Sequence, residues 1–173
     1  MTGLNDRKRN LRRVVFSGIV AALYVILTLP FAQFAFGPVQ FRLAEILAVL
    51  PIFGMQWIPG VAIGCFLANL FNPGALGPID IIFGTLATVI AGFGSAFIGK
   101  KKDILGIIPP ILSNGLIVGF YLPFLLIEKG SSVKFSAILV SIGEVTLSEA
   151  AVMVILGIPF LFLLNKLKIK DKI

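Results

Sequence analysis

Between Gln40 and Glu45 the chain reads Gln-Phe-Arg-Leu-Ala-Glu, which sets a guanidinium and a carboxylate three residues apart in an otherwise apolar sequence. The flanks, Val14 to Ala35 and Ile46 to Ile79, carry no charged side chain. Charge inside such runs is costly in a bilayer and usually lines a pathway or a site. Equally, Arg42 and Glu45 can mark the polar end of a helix, with Arg42 snorkelling to headgroups. The other groups able to bind or carry a proton are Asn69, Asp80, Asn114, Glu144 and Glu149. Chemistry of other kinds is harder to build. The chain has no histidine and a single cysteine, Cys65, so the usual ligand sets for zinc, haem and iron-sulfur centres are missing, and no metal or cofactor is expected. No nucleophile sits with a base, and no GxxxxGK[ST] loop is present for ATP hydrolysis. Cys65 lies in an apolar run and reads as a small packing residue.

The elements that must position these groups are membrane helices. Of 173 residues 58% are hydrophobic and 13% charged, too few polar side chains to coat a globular surface. The breakers and charge clusters divide the chain into six helices, at about 12–35, 41–53, 57–71, 79–99, 104–127 and 133–165, in a single membrane domain. The first follows Arg7, Lys8, Arg9, Arg12 and Arg13 and is expected to be a retained helix rather than a cleaved signal. Pro30 should kink or end it. The second, broken from the third near Gly54, would rise only about 20 Å, less than a hydrocarbon core of about 30 Å. It must therefore be shielded by protein. On the fourth, Gly84, Thr88, Gly92 and Ala96 recur every four residues, a seam that lets membrane helices approach closely.

Charge placement sets the expected orientation. Twelve of the 15 Lys and Arg fall in three groups, at residues 7–13, 100–102 and 166–172, on one side of a six-helix topology. By the positive-inside rule both termini are then cytoplasmic. This accounts for the net charge of +7 without any nucleic-acid partner. Arg42, Glu45, Asn69, Asn72 and Asp80 then share the outer leaflet, while Asn114 and Glu144 reach the middle of the bilayer, Glu144 about 17 Å along the sixth helix. The pattern describes an outward-facing pocket closed at its base. Asp80 can serve there or as an N-cap, and Asn72 before Pro73 reads as a turn residue. On an ideal helix Glu144 shares a face with Ser141 and Ser148, and Glu149 lies about 140° away. Which of the two glutamates enters the pocket stays open. Near the cytoplasmic end of the first helix, Ser17/Ala21 and Gly18/Ala22 give a smooth surface, suited to packing within the protein or to docking a partner subunit.

These features coincide with a known pattern. The stretches AALYVILTL, VQFRLAEIL, GCFLANLFNP, DIIFGTLAT, PPILSNGLIVG and SEAAVMVILGIP, spread over the whole chain, resemble the QueT family of substrate-binding S components of energy-coupling factor (ECF) transporters. The resemblance implies an S-component bundle in a prokaryotic plasma membrane. It implies capture of a queuosine precursor, a 7-substituted 7-deazaguanine such as the 7-cyano or 7-aminomethyl base or queuine. It further implies energy supplied by a transmembrane T component and two ABC ATPases, docked on the first helix through an A-x-x-x-A-like contact. Here that contact reads Ser17/Ala21 and Gly18/Ala22. The residues agree with such a ligand. Glu149 or Glu144 can accept the paired N–H donors of a guanine-like edge, Asn114, Asn69 or Arg42 can donate to its carbonyl, and Glu45 or Asp80 can hold a cationic substituent. Trp57 and the sixteen Phe offer stacking surfaces. The rival readings are an S component for another vitamin and a free-standing proton-coupled carrier using Glu144 and Glu149.

Overall fold

A computed structural model of the chain describes residues 2–36, 40–72, 76–127 and 132–169, with the side chains of residues 2–6 and 9 left aside. Gly37 and Pro38, where the sequence alone reads as a turn, residues 73–75 and 128–131, and Lys170 and Lys172 lie outside that set. The described residues are all helical or irregular, without a strand. Six rods follow in order: α1 (Thr2–Thr28, prolonged through Leu29–Phe31 and Ala32–Ala35), α2 (Leu43–Phe53), α3 (Met55–Leu70), α4 (Asp80–Ile98), α5 (Asp103–Leu126) and α6 (Phe135–Lys166). Within α1, residues Asn10–Ala35, together with α4, α5 and α6, make four segments long and apolar enough to cross a membrane. The chain is a multi-pass membrane protein.

Proline placement explains where the rods change character. The regular turn of α1 stops at Thr28, and Pro30 sits in a single tighter 3-10 turn, because its ring excludes a helical N–H bond. Pro109 and Pro110 occupy the first turn of the regular part of α5, where their missing N–H groups cost nothing.

The most unusual rod is α2. All eleven residues are wound as a 3-10 helix, whereas such runs seldom exceed four residues. At about 2 Å per residue it rises roughly 22 Å. Nine of the eleven residues are buried, and the rod contacts α1, α3, α4, α5 and α6. The tighter winding is a departure from the regular short helix expected at residues 41–53. It is tolerated because the surrounding rods shield it from lipid. Gly54, at φ 147°, lets the chain reverse into α3.

Small residues bring the rods together. A methyl group added at Gly60 would meet the Ser17 carbonyl oxygen at 2.9 Å, and one added at Gly64 would meet Tyr24 Cβ at 2.5 Å, so α1 lies directly on α3. The α4 seam is internal as well: Gly84, Thr88, Gly92 and Ala96 are all buried, Gly92 against Ile58 and Pro51. A second seam joins α5 to α6, where Gly115 abuts Thr146 and Gly119 abuts the Ile142 backbone.

Two apolar clusters result. One, built on α1, α2, α3 and the C-terminal half of α6, includes Tyr24, Leu50, Trp57 and Leu161. The other joins α4, α5 and α6 through Ala87, Val118, Tyr121, Leu122 and Val145. The close α1–α3 approach predicts that Gly64→Val overpacks that contact and costs on the order of 1–3 kcal/mol. A lowered thermal midpoint of the detergent-purified protein, with Gly18→Ala unchanged as the open-space control, checks this.

Candidate functional site

The site is a layer of polar side chains between the two apolar clusters. Three of the long rods carry a wide π turn near it, at Asp80–Gly84 in α4, Asn114–Val118 in α5 and Met153–Gly157 in α6. Such bulges insert an extra residue per turn and often mark functional sites, since they re-aim neighbouring side chains. The first two begin on Asp80 and Asn114 themselves, and the third starts four residues after Glu149.

Arg42 enters from the break before α2. Gln40, a non-glycine residue at φ 47°, turns the backbone into the left-handed region, a strained geometry that the surroundings must hold in place. Arg42 follows as the extended residue capping α2. Its Nε donates to the Ala35 carbonyl at 3.0 Å, and its guanidinium lies 4.7 Å from the centroid of the Phe36 ring. Its Nη2 stands 3.7 Å from Asp80 Oδ1. The partner of Arg42 is therefore Asp80 on α4. Glu45, three residues along, is not its partner, because Glu45 is engaged elsewhere.

Asp80 Oδ1 also accepts the Tyr121 hydroxyl at 2.6 Å, while the Asp80 carbonyl accepts Asn69 Nδ2 at 3.0 Å. Asp80 does not cap α4, since the preceding Ile79 holds the N-cap position; it ties α3, α4, α5 and the α2 entrance together. The absence of a Cβ on Gly84 leaves room for this, since a methyl there would come within 2.8 Å of Asn69 Nδ2 and 3.3 Å of the Tyr121 hydroxyl.

Glu45, 2% exposed, accepts the Tyr24 hydroxyl on Oε1 at 2.5 Å. The side chain of Asn114, also buried, neighbours the carboxylates of both Glu45 and Glu149. Glu149 is 4% exposed and faces inward with Ser141, Val145, Ser148 and Val152. Glu144 is not brought to this cluster. It is exposed, on the flank that carries Val140 and Leu147. The ideal-wheel grouping of Glu144 with Ser141 and Ser148 fails because the inward face of α6 centres on Val145 and Val152, which leaves Glu144 at its edge.

Arg42, Glu45, Asn69, Asp80, Asn114 and Glu149 are thus neighbours in one buried layer. Several of their polar atoms have no hydrogen-bond partner among the described residues: Arg42 Nη2, Glu45 Oε2, Asn69 Oδ1, Asp80 Oδ2 and Glu149 Oε1. Unmade bonds at buried polar atoms are costly, which makes this layer the candidate site. Asn72 is buried at the end of α3. Trp57 packs in the first apolar cluster and against Phe16, with centroids 5.8 Å apart, rather than beside this layer.

Sequence reasoning passed over Tyr24 and Tyr121, and read Thr88 only as part of the α4 seam. A signal existed for the tyrosines. The chain has sixteen Phe and two Tyr, and a hydroxyl kept in an apolar helix usually has a buried partner. Both tyrosines bond carboxylates of the layer. Thr88 donates to Gly84 O at 3.1 Å and lies 3.2 Å from Cys65 Sγ. Cys65 is fully buried next to this group.

The four positions on α1 separate. Ser17 and the buried Ala21 face α3 at Gly60 and Gly64, whereas Gly18 and Ala22 are exposed. Gly18 borders a groove of about 690 Å³ with Arg13, Val14, Ser17, Met55, Gln56, Pro59 and Ile63.

Fold and site define an integral membrane protein of packed helices with a buried layer of polar side chains between them. The QueT transporter family model matches residues 14–166, and the chain belongs to that family. A stretch of 79 residues is 38% identical to the queuosine precursor transporter QueT of Lactococcus lactis subsp. cremoris (strain MG1363). It spans 44% of this chain and 45% of that protein. No solved structure matches the chain.

The geometry makes Arg42 the electrostatic counterpart of Asp80. Arg42→Ala should destabilise the protein by about 3–5 kcal/mol by leaving a buried carboxylate unpaired. Adding Asp80→Asn should recover part of that loss, read as thermal midpoints in detergent; equal midpoints for Arg42→Ala and wild type would contradict it.

Proposed function

We propose that the protein is the substrate-binding S component of an ECF-type importer and takes up a queuosine precursor, a 7-substituted 7-deazaguanine. The observation that carries this is the buried layer of unpartnered carboxylate, amide and guanidinium atoms in a member of the QueT transporter family. The name of the Lactococcus lactis relative supports the substrate class. A guanine-like base offers adjacent N–H donors to a carboxylate and a carbonyl to an amide or guanidinium, which suits Glu149, Glu45, Asn114, Asn69, Arg42 and Asp80.

In this reading six helices lie in the plasma membrane of a prokaryote with both termini cytoplasmic, as the basic clusters at 7–13, 100–102 and 166–172 favour. The site then opens outward. Capture from outside is followed by reorientation in the membrane, driven by a T component and two ABC ATPases. The exposed Gly18 and Ala22 and the groove beside them are the docking contact. Ser17 and Ala21 serve the internal α1–α3 packing. The chain binds and carries rather than catalyses.

Titration of the purified protein with 7-deazaguanines tests the binding half. Saturable binding is expected, weakened at least about ten-fold by Glu149→Gln, the loss of roughly one charge-assisted hydrogen bond. Glu144→Gln should bind as wild type; no saturable binding of any member of the panel would overturn the proposal. The coupling half predicts that Gly18→Leu with Ala22→Leu abolishes co-purification with the energising subunits while ligand affinity is kept. Uptake into vesicles lacking any ATPase would instead favour the proton-coupled carrier.

A further inference from the structure

Three grooves on the sides of the bundle differ in what lines them. Arg13 and Gln56 border the groove beside α1, and Ser132, Lys134 and Ser136 border one of about 500 Å³ between the end of α5 and the start of α6. The third, about 490 Å³ between α4 and α5, has apolar walls: Ile79, Phe83 and Leu86 on one rod, Leu116 and Phe120 on the other, together with Tyr121. The five apolar side chains are exposed and Tyr121 is buried. No charged or amide side chain lines this groove, so it has nothing to hold a headgroup or a polar solute. Both rods are long and apolar enough to cross a membrane, so the medium around the groove is hydrocarbon.

The groove and the polar layer share a side chain. Tyr121 lines the groove, while its hydroxyl donates to Asp80 Oδ1 at 2.6 Å, the carboxylate that also pairs with Arg42. The same two π turns serve both places. Asp80 and Asn114 are buried in the layer, whereas Phe83 and Leu116, from those turns, are exposed in the groove. The Tyr121 ring meets Phe83 with centroids 6.3 Å apart. An unfilled groove forfeits dispersion contacts along these walls and leaves the irregular backbone of the π turns less shielded. Lipid tails are as apolar as the walls, so close fit rather than hydrophobicity favours a chain lodged here over one in the bulk bilayer.

We infer that the α4–α5 groove is a binding site for one lipid acyl chain, which seats the Tyr121 ring so that its hydroxyl stays on Asp80. The site is separate from the polar layer and does not depend on what that layer holds.

Photo-crosslinking tests the occupant. Wild-type protein in nanodiscs is irradiated with a phosphatidylcholine that carries a benzophenone on its acyl chain, and the label is mapped by peptide mass spectrometry. Peptides with Phe83, Leu86, Leu116 and Phe120 should carry at least about five-fold more label than those with the similarly exposed Leu23 and Ile26 on α1. Leu116→Trp, a change at an exposed position that fills the groove, should remove the excess. Equal labelling of groove and α1, or an excess untouched by Leu116→Trp, overturns the inference and leaves the face to bulk lipid or to a helix of another protein. The link to Tyr121 has its own readout, because Tyr24 and Tyr121 are the only tyrosines in the chain. In protein labelled with 13C-tyrosine, the Tyr121 signal is identified by its loss in Tyr121→Phe or its survival in Tyr24→Phe. Adding dioleoylphosphatidylcholine to delipidated wild-type protein in a steroid-based detergent, which has no flexible chain, should shift or sharpen that signal and leave Tyr24 unchanged. Glycerophosphocholine, the headgroup alone, should do neither. Two unmoved signals, two that move together, or a response to the headgroup alone overturns the link.

Discussion

The structure depends on how one guanidinium is held. Arg42 sits where the chain leaves α1 and enters α2, and it grips three things at once: the Ala35 carbonyl, the Phe36 ring and the Asp80 carboxylate. The first two are near in sequence and fix where the α1–α2 break lies. The third is 38 positions away and fixes α4 against it. Without the guanidinium, Asp80 would be a buried carboxylate with only the Tyr121 hydroxyl to answer it. Its pairing is what lets charged groups exist at this depth at all. Asp80 in turn anchors Tyr121 and Asn69, so α3, α4, α5 and the start of α2 share one electrostatic centre.

Around that centre the rods are deformed in ways that serve polar placement rather than apolar packing. The 3-10 winding of α2 stacks residues three apart, which puts Glu45 one turn below Arg42 yet leaves it free for Tyr24 and Asn114. The π turns in α4, α5 and α6 are the opposite deformation, wider instead of tighter. Both are poor hydrogen-bonding geometries by comparison with a regular helix. They are sustained by the close glycine contacts, Gly60 and Gly64 under α1, Gly84 beside Asn69, and Gly115 and Gly119 against α6. Close approach excludes lipid from the bent backbone.

The two tyrosines show how the apolar clusters and the polar layer are joined. Tyr24 belongs to one cluster and Tyr121 to the other, and each sends its hydroxyl into the layer, to Glu45 and Asp80 respectively. The layer is thereby bracketed by rigid amphipathic side chains from both sides. The Glu45–Asn114–Glu149 group and the Arg42–Asp80 pair form its two poles. The first holds no ion pair among the described residues, and the second is matched by one.

Much of this was legible in the residues alone, for physical reasons. Hydrophobicity too high for a globular surface determined an all-helical membrane protein, and six stretches of mixed small and polar residues carried the resemblance to the family to which the chain belongs. The charge island at Arg42 and Glu45 marked itself by the cost of charge in lipid. What only the tertiary structure decided is which polar groups meet. Arg42 answers Asp80 rather than Glu45, because Glu45 is claimed by a tyrosine 21 residues earlier, a partnership with no local spacing. Glu149 turns inward and Glu144 outward, because the face of α6 is set by its contact with α5, which an ideal wheel does not contain. On α1 the same small-residue seam divides into an internal half and an exposed half only once α3 is laid against it. Local sequence records where charge and small residues are; long-range packing, driven by the need to pair buried charge and exclude lipid from irregular backbone, decides what they face.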